Sequence, residues 1–142
     1  MSNPRGDYFA VLVRRETELW NYVERELAAA GATTLGRLKV LRCVAGAEVC
    51  RVQEVSDELG ITVGAASRLV DRLEADGLVE RTPNPADRRG SRIALLEGGR
   101  AAIARAEPLV ESALATALGS IDESILLAAT ATLEKFGSDA DR

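Results

Sequence analysis

Apolar residues recur through residues 1–30 at the three-to-four spacing of one helix face. Phe9, Val13, Trp20 and Leu27 form a stripe that Leu12, Leu19 and Val23 widen. The spacing predicts a long amphipathic helix from Asp7 to Ala30, terminated by Gly31. A second helix, capped by Thr33 or Thr34, carries Leu38, Leu41, Val44 and Ala45 and stops at Gly46. Val52, Val55 and Leu59 mark a two-turn helix closed by Gly60, and Thr62 caps a further helix running to about Asp76, before Gly77. The pattern then changes. Leu78–Thr82 and Ser91–Leu95 read as two strands flanking a polar segment, Pro83–Gly90, whose prolines and arginines predict an extended loop. After Gly98-Gly99, the alanine-rich segment Arg100–Leu118 sets Ile103, Ala106, Val110, Ala113, Leu114 and Ala117 on one face, with Pro108 predicted to bend or restart it. Ser120 and Glu123 form a capping box for a last helix bearing Ile125, Leu126, Ala129, Leu133 and Phe136, and the polar tail from Ser138 is expected to fray.

This order predicts a mainly α fold: a winged helix-turn-helix DNA-binding domain over residues 34–96, with N- and C-terminal helices, residues 1–33 and 97–142, forming a dimerisation domain. The terminal helices carry broad apolar faces with small residues and show no obvious seat on the compact middle, which favours a second copy as their partner. Within Val52–Gly77, two helices meet at a short Gly-containing turn, as a helix-turn-helix requires. On its second helix Ala66, Leu69, Val70 and Leu73 point inward, which places Gly64, Arg68, Asp71 and Ala75 on the opposite face with Ala65, Ser67 and Arg72 beside it. The first turn of such a helix enters the major groove. There Gly64, Ala65 and Ser67 are small enough for close approach, Arg68 can donate two hydrogen bonds to guanine, and Thr62, Val63 and Arg72 complete the candidate DNA-binding residues of this helix. The competing reading makes Arg68 a solvated charge paired with Asp71 or Glu74. Arg88, Arg89 and Arg92 tip the balance, since they fall where a wing loop would reach the narrow minor groove.

The chain has 142 residues, enough for one domain, and no histidine. That absence removes histidine triads, Cys-His pairs, histidine-ligated metals and a histidine pH switch. With no Gly-rich phosphate loop after a strand and no convergent carboxylate pair either, the sequence does not read as an enzyme, and no cofactor or metal is expected. Two cysteines are too few for a disulfide scaffold or a zinc site. Apolar runs are too short to span a bilayer and the first residues lack a signal-peptide core, so a cytoplasmic protein without a membrane partner is expected. A net charge of -4 speaks against a nucleic-acid partner until it is divided along the chain. Residues 34–92 hold ten basic against nine acidic side chains, while residues 93–142 hold four against eight. Between Val79 and Arg92 the balance is positive, with Arg81, Arg88, Arg89 and Arg92 against Glu80 and Asp87.

Gln-Glu-Val-Ser-Asp-Glu-Leu-Gly-Ile-Thr-Val-Gly-Ala-Ala-Ser-Arg-Leu-Val-Asp-Arg-Leu-Glu-Ala-Asp-Gly-Leu-Val-Glu-Arg (53–81), followed by Asn-Pro-Ala-Asp-Arg-Arg-Gly-Ser (84–91), resembles the MarR family of bacterial transcription regulators. The specific part is Asp-Arg-Arg placed one short strand after Asp-Gly-Leu-Val-Glu-Arg. The resemblance implies a repressor that binds a double-stranded, pseudo-palindromic operator as a homodimer, with half-sites roughly 34–36 Å apart or a multiple of that. It also implies that Asp87 orients Arg89 for the minor groove. Asn84-Pro85 departs from the family's usual Asp-Pro, and Leu95-Leu96 from its Leu-Thr, so the helix after Leu96 lacks a hydroxyl cap.

Regulators of this kind often release DNA when a small aromatic or phenolic effector binds between the dimer helices and the winged domain. No motif marks such a pocket. Tyr8, Phe9, Trp20 and Tyr22 are aromatics on a helical stripe, first of all core residues, with an apolar cleft as the other use for them. Some relatives sense oxidants instead, and Cys43 and Cys50, next to Arg42 and Arg51, are the residues available for it. A sensor thiol needs a depressed pKa and access; incidental, half-buried thiols are the alternative. A winged-helix module that binds protein and not DNA is a third reading.

Overall fold

The computed structural model describes residues 1–84 and 87–140, with side chains for all of these except 84, 87–89 and 137–140. Helix α1 spans Pro4–Ala29, α2 Leu35–Gly46, α3 Val52–Leu59 and α4 Val63–Ala75; strands β1 (Val79–Asn84) and β2 (Asp87–Leu95) follow, then α5 (Glu97–Leu118) and α6 (Glu123–Ala140). The order is the one predicted, and the fold is a mainly helical winged helix-turn-helix. Its boundaries differ for local reasons. Asn3 accepts a hydrogen bond from the Gly6 N–H at 3.2 Å and Pro4 fills the first helical position, so α1 starts three residues before Asp7. The strands also run further than expected. Thr82 pairs with Arg92, Pro83 with Ser91 and, across a bulge, Asn84 with Asp87, so most of the predicted Pro83–Gly90 loop is a twisted antiparallel ribbon.

Helix α5 takes in the two glycines expected to precede it, and Leu96 serves as an N-cap without a side-chain bond. A Cβ on Gly98 would lie 3.0 Å from the Gly77 carbonyl oxygen, and one on Gly99 would collide with that of Leu78. The first turn of α5 is therefore pressed against the entry to β1, a seat open only to glycine. The helix runs through Pro108 without a restart. Helix α6 begins after Asp122, whose carbonyl accepts from the Ile125 and Leu126 N–H groups, so the expected Ser120 capping box does not start it.

Two apolar cores hold these elements. One joins Val40, Leu41 and Val44 of α2 to Val55, Ala66, Val70, Leu73, Val79 and Ile93, inside the winged module. The other packs Val23 and Leu27 of α1 against Leu35 and Leu38 of α2 and Ala106, Val110 and Ala113 of α5. Helix α2 contributes to both. The terminal segments thus do find a seat on the middle of the chain, contrary to the expectation from sequence, but only through the second half of α1 and through α5. Polar ties reinforce it: Glu24 accepts from the Leu35 N–H at 2.6 Å, Arg42 pairs with Glu107 at 2.7 Å, and Arg105 donates to the Ala30 carbonyl. The first half of α1 and the described side chains of α6 are left outside both cores. Tyr8 is 46% exposed and Phe9 67%, so neither is the core residue it was expected to be. Among the described residues no single helix is long and apolar enough to cross a membrane, and α6 leaves α5 at a bend of 105°.

Candidate nucleic-acid interface

The turn between α3 and α4 is built from three local bonds. Gly60 adopts the left-handed conformation (φ 65°) that closes α3. The buried Ser56 hydroxyl donates to the Ile61 carbonyl at 2.6 Å, and the Ile61 N–H returns a bond to the Ser56 carbonyl. Thr62 then caps α4 by accepting from the Ala65 N–H at 3.1 Å. Cap and turn together fix the direction in which α4 leaves. Ala66, Val70 and Leu73 are fully buried, while Thr62, Val63, Gly64, Arg68 and Arg72 are exposed and Ala65 and Ser67 partly so. The amphipathic split expected from sequence is the one observed. A Cβ built on Gly64 would meet no atom of the described residues within 4 Å beyond its own helix backbone and chain neighbours, so the first turn of α4 is open to a flat or grooved partner.

The carboxylates on α4 are already engaged, and not by Arg68. The Arg81 guanidinium of β1 pairs with the Asp71 carboxylate and donates to the Ser67 carbonyl and hydroxyl, each at 3.2 Å; its backbone N–H donates to Glu74 at 2.7 Å. Arg68 makes no such bond among the described residues. The competing reading, in which Arg68 pairs with Asp71 or Glu74, is not what the structure holds: a residue from the ribbon takes both. Sequence reasoning passed over Arg81 because its partners lie seven to fourteen positions away, across the α4–β1 turn. The base of the ribbon is held as well, by the Ile93 N–H bonding to the Cys50 carbonyl at 2.8 Å, a bridge that makes Cys50 a short third edge. Asp87, Arg88 and Arg89 belong to β2 and not to a loop tip; their side chains lie outside the described residues, as do Pro85 and Ala86 altogether.

A cleft of about 300 Å³ opens between α1, α2 and α5. Leu19, Trp20, Val23, Leu35, Val110 and Leu114 line it; Lys39, Arg42 and Glu16 stand among them as its charged groups. The Lys39 ammonium lies 5.5 Å from the Trp20 ring centroid. Of the four aromatics singled out, Trp20 reaches this cleft, Tyr22 packs on the second core, and Tyr8 meets Phe136 edge to face at 6.0 Å on the outer surface. The thiols differ from what oxidant sensing asks. Burial pushes Cys50 up to about 12, and burial together with Glu58 and Glu54 outweighs a hydrogen bond from Cys50 to raise Cys43 as well. Cys43 also packs on the first core and does not stand clear of it. Arg42 is turned to Glu107, away from any role in activating a thiolate. Among the described residues no group of three or more His, Cys, Asp or Glu could hold a metal.

Comparison with known proteins places this geometry. The MarR family profile matches residues 34–90, from the cap of α2 into the ribbon. The multiple antibiotic resistance protein MarR of Escherichia coli strain K12 is 38% identical over 77 residues, 54% of each chain. The chain thus matches about half the length of that curated relative. Solved structures match over nearly the whole chain. CouR from Rhodococcus jostii RHA1, bound to p-coumaroyl-CoA, superposes with a TM-score of 0.82 at 26% identity, covering 96% of this chain and 95% of that one. A cysteine-to-serine mutant of Escherichia coli MarR complexed with operator DNA superposes with a TM-score of 0.81 at 25% identity, over 94% and 93%.

Proposed function

We propose that the chain is a transcriptional repressor of the MarR family, whose profile matches residues 34–90 and whose solved members superpose on nearly the whole chain. As a homodimer it grips a pseudo-palindromic operator, and it lets go when a small aromatic or phenolic molecule enters the cleft between α1, α2 and α5. One observation carries the reading: the exposed first half of α4 offers small side chains and Arg68 to solvent, with the neighbouring carboxylates tied down by Arg81. A helix so presented suits the major groove, Arg68 to a guanine edge, Thr62, Val63, Gly64 and Ala65 in close approach, Ser67 and Arg72 toward the backbone. On the strength of the family pattern, Arg88 and Arg89 add the wing's contact, with Asp87 orienting Arg89. The operator-bound MarR structure supports DNA as the partner over a protein-only module.

Dimerisation is supported by what the fold leaves uncovered. Tyr8, Phe9, Val11 and Val13 on α1 and Ile125, Leu127, Leu133 and Phe136 on α6 are all exposed, and the Tyr8–Phe136 contact merges the two faces into one apolar patch. An effector is supported by the cleft, whose apolar walls and two cations suit a flat ring bearing an acidic group, and by the acyl-CoA bound to CouR. A mobility-shift assay on DNA upstream of the protein's own gene tests the whole reading. The wild type retards the duplex at low salt. Arg89→Ala weakens binding while dimers persist, and Arg68→Ala costs on the order of 1–3 kcal/mol at the base it contacts. Cinnamate releases the complex, and Trp20→Ala blunts that release. A duplex left unretarded at low salt would sink the repressor reading.

A further inference from the structure

We infer that Arg81 is a positioning residue for DNA reading: by holding Asp71 from the ribbon side, it keeps Arg68 free to face a base. The inference rests on the assignment of α4 as the reading helix. Arg68 and Asp71 are three residues apart on the exposed face of one helix, a spacing at which an arginine and an aspartate meet. Left alone they would pair, and a guanidinium folded down onto its own helix cannot fork onto a guanine. In this structure the pair does not form. Asp71 turns to Arg81, whose side chain is 24% exposed against 56% for Asp71, so the anchor is the less mobile partner.

The grip has several points. The same guanidinium donates to the Ser67 carbonyl and hydroxyl, and the Arg81 N–H occupies Glu74, so both acidic side chains on the outer half of α4 point back toward β1. An unmasked Asp71 and Glu74 would also stand against phosphate, where a carboxylate weakens binding. Arg81 thereby does for the recognition helix what a counter-ion cannot: its guanidinium offsets the Asp71 charge, its backbone N–H turns Glu74 toward β1, and both fix the ribbon against that helix. Ser67, expected to face DNA, shares its hydroxyl oxygen with this anchor.

A merely structural role for Arg81 and this one differ in what a second substitution does. The probe is a duplex selected from random sequence by the wild-type protein, with a scrambled duplex as reference, read by fluorescence anisotropy. Arg81→Gln should weaken binding to the selected duplex about tenfold or more and flatten its preference over the scrambled one, as expected when a bidentate base contact is lost. Adding Asp71→Asn to Arg81→Gln should restore affinity to within about threefold of wild type, because the captor of Arg68 is gone. Asp71→Asn alone should change binding by less than about twofold, its charge being already masked. The inference is overturned if the folded double variant binds no better than Arg81→Gln. It is equally overturned if Asp71→Asn alone raises affinity severalfold, a result that can be read even should Arg81→Gln not fold. A wild-type protein that selects no duplex at all fails the DNA reading itself, and that outcome is separate from a double variant that is not rescued.

Discussion

Cys50 lies beneath the ribbon, its thiol pushed up to about 12 by burial, with its carbonyl bonded to the Ile93 N–H. The folded chain therefore holds this proton more tightly than the unfolded chain, where a thiol titrates near ~8.5. Stability from the site is complete below that lower value and is lost as pH rises toward 12. Urea midpoints should fall steadily above about pH 9 in the wild type, and Cys50→Ala should flatten that fall; equal slopes in both would show that other groups govern the alkaline limb. The direction was not legible in the sequence. Arg42 and Arg51 beside the two cysteines leave room for activated thiols next to the half-buried reading, yet adjacency along the chain says nothing about which way a guanidinium turns, and the half-buried reading is the one observed. Arg42 turns to Glu107 of α5, a residue 65 positions away. Val40 gives the same lesson: it is fully buried where the predicted stripe had Ala45, which is exposed, because α2 is covered on two sides and not one.

At the level of single elements, the local signals were legible and the long-range ones were not. Thr34 and Thr62 cap the helices they were expected to cap, and Gly60 ends α3, since each acts on backbone within four residues. The strands were read too short because Pro83 and the arginines lack strand propensity, whereas pairing with the opposite strand, not propensity, extends β1 and β2. Gly98 and Gly99 are expected only to precede α5 for a similar reason: the close approach of the Gly77 and Leu78 carbonyls, which reserves this first turn for glycine, is not written in the local sequence. Ser56 is the element-level residue most open to test. Removing its hydroxyl leaves the Ile61 carbonyl without its side-chain donor at the pivot of the helix-turn-helix. Ser56→Ala should cost about 1–3 kcal/mol in chemical denaturation, with operator affinity falling alongside it. Full stability in that variant would mean that the Gly60 and Thr62 geometry suffices to set the turn.

For the molecule as a whole, the divided charge and the uncovered apolar patch point in one direction. The acidic surplus lies in residues 93–142, which follow α4 and every charged residue of the ribbon in the chain. Global acidity is therefore compatible with a DNA partner, and few uncompensated cations remain for sequence-independent binding. The patch on α1 and α6 is the larger liability for a lone chain. Phe136→Asp or Leu133→Asp should shift the protein to monomers in sedimentation at micromolar concentration and abolish retardation of a two-half-site duplex; persistent dimers in both variants would place the interface elsewhere. Helix α2 has a consequence of its own. Because its residues are divided between the two cores, opening either one leaves the helix still held by the other. In native-state hydrogen exchange its central amides, those of Leu38 to Val44, should exchange last, only through global unfolding, while α6 exchanges early. Helix α2 would then be the slow clock of the molecule, against which the opening of every other segment is timed.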